Sequence, residues 1–138
     1  MRSLTVFLAL IISFTSLAEG VIANRIELNQ SNAQELGVVF SIESGQCDEN
    51  TPLLEVRPRW EFRESMLSGA FLSVSNGETT LMRGNVLTSQ DPENSEKGLI
   101  MFCLNESVYT DTRLVLFYSK DGHTTEEVSI KDFSKVLE

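Results

Sequence analysis

Two cysteines, one histidine, three prolines and one tryptophan are all that 138 residues hold of those types, and 11 Lys and Arg face 20 Asp and Glu. Each scarcity excludes something. With one histidine and two cysteines, a zinc centre would have to draw most of its three or four protein ligands from carboxylates. A Ser–His–Asp nucleophile would have to use His123, which follows Asp121-Gly122 at the tip of an expected hairpin, with no burial to hold a general base. The formal charge of −9 opposes nucleic acid and anionic lipid as partners, since both need clustered Lys and Arg. No cofactor or metal is expected, and no internal repeat or low-complexity tract is present.

Long apolar runs are also scarce: there is one, Leu4 to Leu17, interrupted only by Thr5, Ser13, Thr15 and Ser16. It follows Arg2, ends in Ser16-Leu17-Ala18, and is shorter than the roughly 20 residues that span a bilayer. Small residues at −3 and −1 suit a signal peptidase, so residues 1–18 are expected to be an export signal cleaved after Ala18. Residues 19–138 then form one domain, without a membrane anchor, in the periplasm or outside the cell. Loss of Arg2 leaves 10 Lys and Arg against 20 Asp and Glu, a formal −10.

In an oxidising compartment an even pair of cysteines forms a disulfide by default, so Cys47 and Cys103 are expected to be joined.

Among the elements that are present, β signals dominate. Residues 25–28 and 38–43 read as strands, separated by a helical turn over 32–36 that Gly37 stops and a Ser31/Gln34 capping box starts. From Leu54 to Phe62 the alternation is strict. Leu54, Val56, Pro58, Trp60 and Phe62 face one way and Glu55, Arg57, Arg59 and Glu61 the other, with Arg63 extending the row. Pro58 cannot donate to a ladder, which puts this strand at a sheet edge or in a bulge. Asn76-Gly77 and Asp121-Gly122 mark two hairpins, 70–75 with 79–88 and 113–119 with 124–130, both through type I′ turns. The apolar runs 98–104 and 114–118 read as central strands buried on both faces. Residues 90–97 form a polar loop. Ile130, Phe133 and Val136 or Leu137 have the spacing of a short docked turn or a frayed tail. About seven to eight short strands with frequent turns indicate an all-β sandwich or barrel, and the mixture of edge-like with doubly buried strands favours the antiparallel sandwich.

The order Cys47, Trp60, Cys103 resembles the Cys…Trp…Cys framework of immunoglobulin domains, although Met101 stands where that family carries a tyrosine. The resemblance covers three residues and implies an immunoglobulin-like sandwich.

Three features offer chemistry. Arg57, Arg59 and Arg63, on one strand face, present guanidinium groups that suit a carboxylate-bearing ligand or protein partner; interleaved with Glu55 and Glu61, they equally read as a mixed-charge ladder that blunts an edge. Asp91, Glu93, Ser95 and Glu96 offer oxygens but lack the glycine and bidentate glutamate of a calcium loop, and read as a solvated loop. Asn29-Gln30-Ser31 and Asn105-Glu106-Ser107 fit the N-glycosylation pattern, which matters only in a eukaryotic host. The expectation is a non-enzymatic protein-binding or accessory module that engages another protein through a sheet edge or end loops. The alternatives are a carboxylate- or divalent-ion-dependent enzyme and a structural envelope protein.

Overall fold

A computed structural model describes residues 23–137. The expected export signal lies outside the described residues. Strands dominate, in two sheets that enclose one core.

The chain enters on β1 (Asn24–Glu27) and makes a one-turn helix, α1 (Ala33–Leu36), that ends at Gly37. The capping box does not form. Asn29 does that work instead, its Oδ1 accepting from the backbone N–H groups of Ser31 at 2.9 Å and Asn32 at 3.2 Å. Strands β2 (Val39–Glu43) and β3 (Leu53–Arg57) pair in one sheet, which β7 (Thr88–Gln90) and β8 (Gly98–Cys103) complete in the order β2-β3-β8-β7. The other sheet holds β4 (Glu61–Phe62), β5 (Ser65–Asn76), β6 (Thr79–Val86), β9 (Thr112–Lys120) and β10 (His123–Lys131) with β1. In it β10 lies between β1 and β9, β9 pairs with β5, and β4 and β6 share the far side of β5. A 3-10 turn (Glu106–Asp111) and the closing helix α2 (Phe133–Val136) complete the chain. All pairings are antiparallel except β1 with β10, so the larger sheet is mixed.

The expected strand 54–62 is two strands in different sheets. It breaks at Pro58, where the chain crosses from β3 to β4, and β3 sits inside its sheet between β2 and β8 rather than at an edge. The crossing is tied down by Gly98 N–H donating to Pro58 O (2.8 Å) and Trp60 N–H to Glu96 O (2.8 Å). Alternation survives the break because both halves look into the same core: Leu54 and Val56 from one sheet, Phe62 from the other, all at most 5% exposed. Gly98 allows the close approach here: a Cβ on it would stand 2.5 Å from Leu67 Cδ2, so a larger residue would force the buried Leu67 side chain to shift.

Both expected hairpins form, and their turns differ. Asp121 (φ 52°) and Gly122 (φ 78°) are both left-handed, as a type I′ turn requires. In the other, Asn76 ends β5 and pairs with Thr79, so Gly77-Glu78 is the loop and only Gly77 (φ 59°) is left-handed, the signature of type II′. A third tight hairpin joins β4 to β5 through Arg63 (φ 49°) and Glu64 (φ 61°), without glycine or asparagine to announce it. Central β9 matches its expectation, with Leu114, Val115, Leu116 and Tyr118 buried. Strand β8 does not, because Met101 faces solvent at 48% exposure.

The tail docks. Phe133 is fully buried, 6.1 Å from the Phe40 ring and 6.0 Å from that of Phe102, and closes one end of the sandwich. Cys47, in the β2–β3 connection, and Cys103, at the end of β8, sit at disulfide distance with Cα atoms 6.2 Å apart. The pair lies within the smaller sheet and does not cross the core.

Candidate interaction surface

Because the strand breaks at Pro58, Arg57, Arg59 and Arg63 do not share a face, and each is engaged within the molecule. Arg57 extends from β3 over the outer side of the smaller sheet. Its Nη2 is 2.6 Å from Glu55 Oε2, its Nε 3.0 Å from Asp91 Oδ2, and its Nη1 donates to Ser41 Oγ at 3.0 Å. Arg59 and Arg63 grip α1 instead. Arg59 Nε donates to the carbonyl of Glu35 (2.8 Å), Lys97 Nζ donates to that of Gly37, and Arg63 pairs with the Glu35 carboxylate at 2.8 Å. Cations at the end of this helical turn meet its free carbonyls, which favours them electrostatically. Arg63 also lies 3.6 Å from the buried Glu126 and 4.9 Å over the Phe62 ring.

The 91–97 loop is only partly solvated. Glu93 and Glu96 are exposed, while Asp91 is buried, its Oδ1 accepting from the Glu93 N–H (2.9 Å) and its Oδ2 paired with Arg57. The Glu93 N–H and then the Arg57 guanidinium hold the Asp91 carboxyl below its ordinary value, against the opposing effect of burial. A carboxyl with a depressed folded pKa stabilises the fold above its unfolded pKa of about 3.9, and that stability is lost as pH falls through the folded value. Below about pH 4 unfolding should therefore ease, and Asp91→Asn should flatten that acid limb of a denaturation-midpoint profile. An unchanged limb would remove Asp91 as its source.

His123 is exposed at the start of β10. Asn29 and Asn105 are both used in local hydrogen bonding, Asn29 in the turn before α1 and Asn105 as cap of the 3-10 turn. Among the described residues no group of three or more His, Cys, Asp or Glu is placed to hold a metal ion. Neither of the two most prominent clefts among the described residues includes the 91–96 loop. One, of about 980 Å³, lies where β1, β10 and α2 meet, and its lysines are matched internally: Lys131 with Glu27 at 2.9 Å, Lys135 with Asp132 at 3.1 Å. The other, of about 470 Å³, lies among Ser44, Asp48, Glu49 and Glu106 beside the cysteines.

What stands out is the free side of β6. Every residue from Thr79 to Asn85 is exposed, and β6 pairs with β5 alone among the described residues. The other edge strands are shorter, from two to five residues against the eight of β6. Shortness, lysine, proline, other charges and bulges are ways a protein blunts an edge; β6 is not short and has no lysine or proline, and carries of these devices only Arg83 and one bulge at Leu81. Leu81 (57% exposed), Met82 (46%) and the following Leu87 (85%) add apolar surface. A register shift between Val74 and Ser75 leaves Leu81 as the extra residue, and from Met82 to Val86 the ladder is regular.

No protein-family model, curated protein or solved structure matches this chain.

Function must therefore be read from the surface itself. An edge of this kind offers unpaired N–H and C=O groups to an incoming strand, with side-chain contacts on alternate residues. The sequence carried one sign of it: Thr79-Thr80-Leu81-Met82-Arg83-Gly84-Asn85 has no alternating apolar face, as a strand with little core to cover would not.

Proposed function

We propose that this is an exported accessory module, acting in the periplasm or outside the cell, that binds another protein by strand addition at β6. The uncapped eight-residue edge carries the reading. The terminal segment 1–18 and the cysteine pair support the location, through the redox conditions in which such pairs persist. The arrangement of two sheets around one core supports immunoglobulin-like architecture. The cysteine pair departs from that pattern, because the family's bridge joins the two sheets and this one stays within one.

Arg57, Arg59 and Arg63 serve this module by holding its loops in place. Replacing all three with alanine would unbalance the Glu55 and Asp91 carboxylates and loosen α1, so that variant does not test binding cleanly. A cleaner test places charge on the edge. Leu81→Lys with Met82→Lys should abolish capture of the partner from the native compartment. Both side chains are exposed, so stability should stay within about 0.5 kcal/mol of wild type. Capture that survives the double substitution would place the interface elsewhere.

A further inference from the structure

We infer that the segment added at β6 is net-cationic and seats one bulky apolar side chain over Gly84. The inference rests on the edge-docking reading above. Gly84 pairs with Leu72, whose side chain is buried, so Met82, Gly84 and Val86 form the row of β6 that faces the core side. A Cβ on Gly84 would meet nothing within 4 Å. The row is therefore open to solvent over Gly84, a gap between a half-exposed methionine and a valine. A glycine inside a strand commonly marks a place where something else approaches closely. An aromatic or large aliphatic side chain on a neighbouring strand would cover this one, and would bury apolar surface that β6 leaves in water.

Charge indicates the rest. Glu78 lies in the turn at one end of β6. Glu61, on β4, continues the same side of β5 beyond the other end, and neither carboxylate has an ion-pair partner among the described residues. Arg83, on the opposite face from Gly84, is the one charge on β6 itself. A fitting segment carries an apolar anchor at its centre, uncharged polar residues beside it, and Lys or Arg at its ends. A second copy of this chain fits poorly. It brings another formal −9 to an edge flanked by Glu61 and Glu78, where the proposed segment brings cations.

The test uses the purified protein and a synthetic peptide, Lys-Lys-Val-Thr-Phe-Thr-Val-Lys-Lys, with affinity and backbone amide exchange as readouts. Binding should protect the amides of residues 79–86. Changing the central Phe of the peptide to Ala should weaken it roughly ten- to a hundredfold, the worth of one buried aromatic side chain. Gly84→Val should fill the gap from within: its thermal midpoint should equal or exceed wild type, because valine suits a strand better than glycine, while peptide affinity falls by a similar factor. Undiminished binding to Gly84→Val, or equal binding of the Ala peptide, overturns the anchor. Equal protection of β6 by a peptide flanked with Glu overturns the charge preference and leaves edge docking standing. No protection of β6 by any of these peptides overturns both. Concentration-dependent self-association that protects β6 without peptide overturns the choice of partner in favour of a second copy.

Discussion

Phe133→Ala should destabilise the fold by about 3–5 kcal/mol, the range for removing a large aromatic side chain from a closed core. Domains of this size are stable by only about 5–15 kcal/mol in total, so the variant should lose a large share of its stability and unfold at a much lower denaturant concentration than wild type. The size of the effect follows from position. Phe133 is the first residue of α2, directly after Asp132, whose left-handed backbone (φ 56°) turns the chain off the end of β10. The ring follows directly on the larger sheet's last strand and packs on Phe40 of β2 and Phe102 of β8, both in the smaller sheet. It therefore holds the two layers together at one end, and alanine would leave a cavity that neither sheet could close without separating from its own ladder. Urea unfolding measures this. A loss below about 1 kcal/mol, the level of an ordinary surface change, would mean that α2 does not close the core.

Reducing Cys47–Cys103 should cost about 4 kcal/mol, the entropy returned to the unfolded chain when a loop of 56 residues is released. In native packing little should change at first, because the bond joins a connection to a strand end within one sheet, and Leu53 already pairs with Cys103. The oxidised and reduced forms should share their far-ultraviolet circular dichroism in buffer and separate widely in denaturant. Coincident unfolding curves would show that the crosslink does not constrain the unfolded chain. Free-thiol titration of the denatured, unreduced protein should find no thiol.

Much of the local structure is legible without coordinates. Gly77 and Asp121-Gly122 place their hairpins because few residues accept positive φ, and a strand pattern on both sides leaves the chain nowhere else to turn. The single turn before Gly37 is readable from spacing as well, whereas the spacing of Ile130, Phe133 and Val136 suits a docked turn and a frayed tail equally, and only the structure shows Phe133 docked. The β4–β5 hairpin is not readable, since Arg63 and Glu64 adopt left-handed geometry that neither residue type favours; the Glu35 and Glu126 partners of Arg63, and that of Glu64 on Lys120, come from distant chain positions.

By itself the sequence determined an acidic, β-rich chain with two cysteines to pair and the positions of its best turns, because composition and turn chemistry depend on neighbours only a few residues apart. Tertiary structure alone decided three other things. It set where the chain changes sheet, since period-two alternation is identical whether residues 54–62 run along one sheet or cross between two that share a core. It decided which charges are spent, because Arg57 finds Asp91 across 34 residues of chain. And it decided which strand keeps a free edge: β6 is an edge only because β9 takes one side of β5 and no strand among the described residues takes the far side of β6.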